Sequence, residues 1–233
     1  MKAGVVTFPG SNCDRDVFHV LQNIFEFDTD MIWHKDKKIK NYDLIVLPGG
    51  FSYGDYLRSG AIARFAKVME PVIEFAENGG LVLGICNGFQ ILLESNLLPG
   101  AMKVNDNLKF VCRNTKLTVI NNNTPFTNQY KNLESIEMPV AHGEGNYYID
   151  KKGLMELKNN KQIILKYKNK KENPNGSIKN IAGICNKERN IFGLMPHPER
   201  CSEPQISPGK VDGYNIFSSI ISYINKRGDK VAK

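Results

Sequence analysis

Leu81-Val82-Leu83-Gly84-Ile85-Cys86-Asn87-Gly88-Phe89-Gln90 is the stretch that decides the fold. Its first half is an unbroken apolar run, the pattern of a strand buried on both faces. Its second half opens a helix, and Cys86 stands at the corner. Gly84 and Gly88 flank the cysteine two residues away on either side. Glycines let backbones approach closely, so a nucleophile in this frame can occupy a sharp, strained turn. A thiol there faces the amino end of the next helix, where unbonded N–H groups and the helix dipole favour a thiolate.

Upstream of this corner, strands and helices alternate. Ala3 to Phe8 reads as a strand stopped by Pro9-Gly10, and a helix capped by Ser11 or Asn12 runs to about Phe25. Met31 to His34 and Tyr42 to Leu47 read as further strands, the latter ended by Pro48-Gly49-Gly50. Ala61 to Glu77 shows helical spacing, with Pro71 expected to kink or break it. Such alternation predicts an α/β fold with a mostly parallel central sheet flanked by helices.

Beyond Gly100 the pattern changes. Phe110–Ile120, Ser135–Val140, Tyr147–Ile149, Gln162–Tyr167, Ile181–Cys185 and Ile191–Leu194 read as strands, and helical spacing returns only at Tyr214–Ile224. The second half therefore adds an antiparallel, strand-rich portion. There is no internal repeat and no linker that divides the chain, so residues 1–233 are read as a single domain.

Hydrophobic residues make up 41% and charged residues 24%, as in ordinary globular proteins. No apolar run could cross a bilayer, and the first residues read directly into a strand rather than a secretory signal. Five widely spaced cysteines without a Cys-x-x-Cys pair argue against a disulfide framework or structural zinc, and fit the cytoplasm. The net charge of +7 comes largely from lysines in 35–40, 151–171 and 226–233. These runs lack interleaved aromatics and read as solvated loops, not as a nucleic-acid surface. Cys112 and Cys185 read as core residues, and no chemistry is assigned to Cys13 or Cys201.

A thiol nucleophile needs a base. Of four histidines, His197 lies in Met195-Pro196-His197-Pro198-Glu199-Arg200. The prolines favour an extended backbone, in which Glu199 can reach round to orient the imidazole. His142, before Gly143-Glu144-Gly145, could line the site. The N–H of Asn87 and one near Gly50 in Pro48-Gly49-Gly50-Phe51 are candidate oxyanion donors. No P-loop, no Gly-x-Gly-x-x-Gly after the first strand and no His-Glu-x-x-His motif is present. The residues alone describe a metal-free thiol hydrolase of amides or esters.

Gly84-Ile85-Cys86-Asn87-Gly88-Phe89-Gln90 together with Pro196-His197-Pro198-Glu199 resembles the class I, triad-type glutamine amidotransferase family. Phe8 to Asp14, Pro48 to Arg58, Ala141 to Gly145, Asn173 to Ser177 and Gly193 to Arg200 narrow the resemblance to glutaminase subunits that serve purine biosynthesis. The resemblance implies a flavodoxin-like fold and a Cys86–His197–Glu199 triad that hydrolyses L-glutamine through a thioester. It implies substrate contacts from Gly50, Phe51, Asn87, Gln90 and His142. It also implies a large synthetase subunit that binds ATP, Mg2+ and formylglycinamide ribonucleotide, and a small bridging subunit. No cofactor is expected on this chain, and neither nucleic acid nor membrane is expected as partner. The loop from Phe51 to Arg58 would border the synthetase. Two other readings remain open on the residues alone: a thiol peptidase or stress-response hydrolase of related architecture, and a non-catalytic basic binding module.

Overall fold

The computed structural model describes residues 1–39, 41–207 and 209–231; Lys40, Pro208 and the last two residues of the basic tail lie outside them. In chain order the elements are β1 (Lys2–Thr7), α1 (Asp14–His19), β2 (Asp28–Trp33), β3 (Leu44–Leu47), α2 (Met69–Glu77), β4 (Leu81–Ile85) and α3 (Asn87–Glu94). Then come β5 (Ala101–Lys103), β6 (Val111–Val119), β7 (Ser135–His142), β8 (Asn146–Tyr148), α4 (Lys151–Asn159), β9 (Ile163–Tyr167), β10 (Ile181–Cys185), β11 (Ile191–Leu194) and α5 (Tyr214–Val231).

One nine-stranded sheet carries both halves of the chain, in the order β2-β1-β3-β4-β11-β10-β9-β6-β7. The pairs β2/β1, β1/β3, β3/β4 and β4/β11 are parallel. From β11 outward every pairing is antiparallel. The expected architecture is therefore present: a parallel centre with an antiparallel extension. A separate two-stranded ribbon joins β5 to β8. Every residue of β3, β4, β10 and β11 is buried, and each fully buried aliphatic side chain contributes roughly 1.5–3 kcal/mol.

The glycines beside Cys86 set how closely α3 lies on the sheet. A Cβ at Gly88 would stand 1.9 Å from the Leu47 carbonyl oxygen, and one at Gly84 would stand 2.8 Å from the Gly88 backbone. No other residue lets α3 pack directly over β3 and β4.

Several sequence expectations shift. The first helix ends at His19 and continues as a wider π turn over Val20–Ile24. Pro71 neither kinks nor breaks a helix. A short 3-10 turn at Ala63–Phe65 gives way to extended Ala66, and α2 starts afresh at Met69 with Pro71 in its first turn, where an N–H has no intrahelical partner to lose. Lys151 onward is a helix rather than a loop. Asp150 caps it by accepting from the Gly153 N–H, but only Leu154 and Leu157 are buried, too few to give a visible apolar stripe. Cys112 is exposed on β6 and is not a core residue. Cys185 is fully buried, as its apolar strand predicts.

Candidate active site

The strand β4 delivers Cys86 to the carboxyl edge of the sheet, and α3 begins with the next residue. Cys86 has φ +49° and ψ −104°, a conformation that non-glycine residues rarely adopt. Strain of this kind persists only where the surroundings enforce it. Here the Cys86 N–H donates to the Leu194 carbonyl at 2.8 Å, and its carbonyl accepts from Gln90 N at 3.2 Å. Cys86 is buried, 5% exposed.

The strand β11 pairs with β4 in register, Leu194 opposite Ile85. The chain leaving β11 therefore emerges beside the cysteine. His197 is fixed there by its N–H, which donates to the Pro139 carbonyl at 2.9 Å. Its Nδ1 lies 2.6 Å from Glu199 Oε1, and both side chains are fully buried. The expected pairing is present, but the expected extended segment is not. Pro198–Cys201 is a 3-10 turn, and the turn brings the carboxylate back to the ring.

Burial alone disfavours the charged imidazole. Glu199, the Cys86 sulfur, and hydrogen bonding to Cys13 and Cys86 outweigh it and hold His197 well above the usual histidine range. A charged imidazole beside a sulfur is an arrangement that can serve thiol chemistry. Nε2 of this ring has no fully formed hydrogen bond among the described residues.

The loop after β3 closes on the same point. Gly49 packs so tightly that a Cβ would come within 2.8 Å of His197 Cε1, 3.2 Å of Cys13 Sγ and 3.4 Å of Cys86 Cβ. Gly50, at φ +128°, lies against the backbone of Asn12, where a Cβ would approach N to 2.6 Å. The Phe51 N–H donates to the Gly10 carbonyl. The Gly50 N–H has no acceptor among the described residues. The Asn87 N–H opens α3, where helix geometry supplies none. These two donors suit a developing oxyanion.

The other predicted substrate residues are tied into the protein. Asn87 donates through Nδ2 to Asp55 Oδ1 and Gln90 Oε1, and its Oδ1 accepts from Ser52 N. Gln90 donates to the Glu144 carbonyl. His142 places its ring nitrogens against Asn105 Oδ1 (3.2 Å) and Asn175 Nδ2 (3.3 Å). Burial, and then the charge on His197, push it down to about 4. His142 thus stands as a neutral wall behind the base. Phe51 is exposed at the rim, its ring 6.3 Å from that of Phe110.

Three groups near the site have no expectation from the sequence. Asp55 is lifted to about 6 by burial and by Glu144, against hydrogen bonds from Ser59 and Asn87. Arg200 donates to Cys13 Sγ at 3.0 Å and to Asp16 at 3.2 Å. Cys13 itself packs beside His197. A ring nitrogen of His197, a Glu199 oxygen and Cys13 Sγ lie within 4.8 Å of one another, a spacing a cation could use, but the Arg200 guanidinium at the sulfur opposes one. The signal for Cys13 was its position: it follows β1, and the carboxyl ends of neighbouring parallel strands converge on one edge.

Residues 1–224 match the CobB/CobQ-like glutamine amidotransferase domain. The phosphoribosylformylglycinamidine synthase subunit PurQ of Moorella thermoacetica is 53% identical, with 99% of each chain covered. That of Wolinella succinogenes is 56% identical over 94% of this chain and 99% of its own length. A chain of the solved PurLQS structure from Thermotoga maritima superposes with a TM-score of 0.86 at 46% identity, covering 96% of this chain and 98% of that one. The chain belongs to the CobB/CobQ-like glutamine amidotransferase family and, within it, to the phosphoribosylformylglycinamidine synthase PurQ subunits.

Proposed function

We propose that this chain is the glutaminase subunit of a phosphoribosylformylglycinamidine synthase, acting through Cys86, His197 and Glu199. The observation that carries the reading is the buried His197–Glu199 pair set beside a thiol on a strained strand-to-helix corner. The Cys86 thiolate attacks the side-chain amide carbon of glutamine, forming a C–S bond and an oxyanion near the Gly50 and Asn87 N–H groups. The oxyanion collapses, the C–N bond breaks, and the imidazolium of His197 gives its proton to the departing ammonia. The neutral ring then takes a proton from water, which attacks the thioester and releases glutamate and the thiolate.

Asp55 and Glu144 lie beside the Asn87–Gln90 pair. Their negative field suits the α-ammonium of a free amino acid, which a glutamine inside a peptide lacks. The sequence carries no P-loop, and the chemistry that consumes the ammonia needs ATP. ATP, Mg2+ and the ribonucleotide therefore belong to a partner synthetase subunit, with a small third subunit completing the assembly. Tyr56 and Leu57, 73% and 90% exposed, stand with Phe51 and Phe110 as an apolar rim suited to that partner. Arg58 in the same loop is held by Glu94 through two hydrogen bonds, so the rim's contribution is apolar more than cationic. Among the described residues no helix is long and apolar enough to cross a membrane. All five cysteines are free, which suits the cytoplasm.

The test is ammonia release from glutamine by wild type and Cys86→Ala, alone and with the synthetase subunit, ATP, Mg2+ and formylglycinamide ribonucleotide. The expected result is release that the partner and its ligands stimulate and the substitution abolishes. Turnover of peptidyl glutamine in preference to the free amino acid would sink the proposal.

A further inference from the structure

Cys13 lies outside the proposed triad yet is built into its base. Cys13 is buried, 3% exposed, and its Sγ lies beside the imidazole of His197. Arg200 Nη2 donates to that sulfur at 3.0 Å, and a guanidinium can only donate, so the sulfur is the acceptor. Arg200 is itself anchored through Nε to Asp16, one turn along α1. The backbone of Cys13 is fixed by its N–H, which donates to the Gly49 carbonyl at 3.4 Å. Gly49 in turn touches His197, Cys13 and Cys86 at once. One imidazole therefore faces two sulfurs, one on the nucleophile corner and one on the turn after β1.

We propose that Cys13 is a positioning residue: its sulfur, held by Arg200, packs against the His197 ring and fixes the place of the imidazole between the two thiols. The proposal rests on the glutaminase reading above. An imidazolium kept in place extends the pH range in which His197 can protonate departing ammonia. The charged and titratable groups facing the ring are Glu199 from its own turn, Cys86 from the β4–α3 corner, His142 from β7, and Cys201, whose sulfur donates to the His197 carbonyl. Arg200 hydrogen-bonds to Cys13 and Asp16, and its charge also acts on Glu199. Hydrogen bonding to Cys13 is among the causes that hold His197 above its usual range. The competing account is that Cys13 is a small buried hydrophobe filling space.

The experiment compares wild type, Cys13→Ala, Cys13→Ser and Arg200→Gln. It reads two quantities in the full chain: the pH profile of glutaminase kcat/KM, and the His197 ring titration by NMR. With four histidines in the chain, His197 is assigned by its loss in His197→Asn. Cys13→Ala is expected to lower the ring pKa and the alkaline limb of kcat/KM together by about one unit. Cys13→Ser, which keeps an acceptor, should recover at least half of that shift, and Arg200→Gln should give a smaller shift in the same direction. A ring titration and alkaline limb that stay put in Cys13→Ala overturn the proposal. So does an equal shift in the alanine and serine variants, because the sulfur would then act by volume alone. If Cys13→Ala does not fold, an unshifted Arg200→Gln serves as the overturning result. Loss of the glutaminase reading is distinguishable, because wild type would then show no turnover while the ring titration remained measurable.

Discussion

Two corners of this molecule carry a thiol to the same imidazole, and they are built by different means. At β4–α3 the turn is immediate: Cys86 is the only residue between strand and helix, at φ +49°. At β1–α1 the chain takes six residues, Phe8 to Cys13, and Cys13 sits at a relaxed φ of −100°. The first corner is enforced by packing, since Gly84 and Gly88 leave no space for a side chain. The second is held by hydrogen bonds: Ser11 Oγ accepts from the Phe8 N–H and donates to the Phe8 carbonyl, each at 2.9 Å. Strain and a helix amino end mark Cys86, whereas a guanidinium at ordinary geometry marks Cys13.

Exchange of the sulfurs should separate the two corners most widely. Cys86→Ser is expected to lower glutaminase turnover by about 1,000-fold or more, and Cys13→Ser by no more than about tenfold. Steady-state ammonia release measures both, and comparable losses would erase the distinction. Next in size is the packing difference. Gly88→Ala drives a Cβ into the Leu47 carbonyl and should destabilise the fold by about 4 kcal/mol or prevent it from forming, as read by denaturant unfolding.

The burial of His142, with the charge on the shared imidazole second, gives a smaller effect. His142 is held at about 4 in the folded chain against an ordinary value of 6.5. The unfolded chain binds the extra proton between those values, so this contribution is present above pH 6.5 and lost as pH falls towards 4. It amounts to at most about 3 kcal/mol. His142→Asn should unfold with a flatter dependence between pH 7 and 4.5 than wild type; equal slopes would show that the ring is not kept neutral. The smallest effect belongs to the hydrogen-bonded corner. Ser11→Ala should cost about 1 kcal/mol in the same unfolding assay, and a loss as large as that at Gly88 would mean that both corners rest on packing.

Much of this was legible in the residues, for physical reasons. Apolar runs such as Leu44–Leu47 and Ile181–Cys185 exposed the buried strands because parallel and central strands must shed polar side chains. Gly84, Gly88 and Cys86 exposed the elbow because the sterics of that turn admit few residues. The pairing of His197 with Glu199 was visible, but its geometry was not, because a 3-10 turn and an extended segment bring the same two residues together. The α4 helix escaped notice because two buried leucines and an aspartate cap sit among lysines. The Cys13–Arg200 contact escaped because residues 187 positions apart meet only through the sheet order, which no local pattern encodes.

Cys86 and His197 emerge from hydrogen-bonded neighbours, β4 and β11, yet 111 positions of chain separate them. A ribosome releasing this polypeptide exposes the thiol long before it releases the imidazole. Until β11 docks, Cys86 stands without the imidazole of His197 beside it. The two side chains meet only when a strand late in the chain has paired with one from its first half.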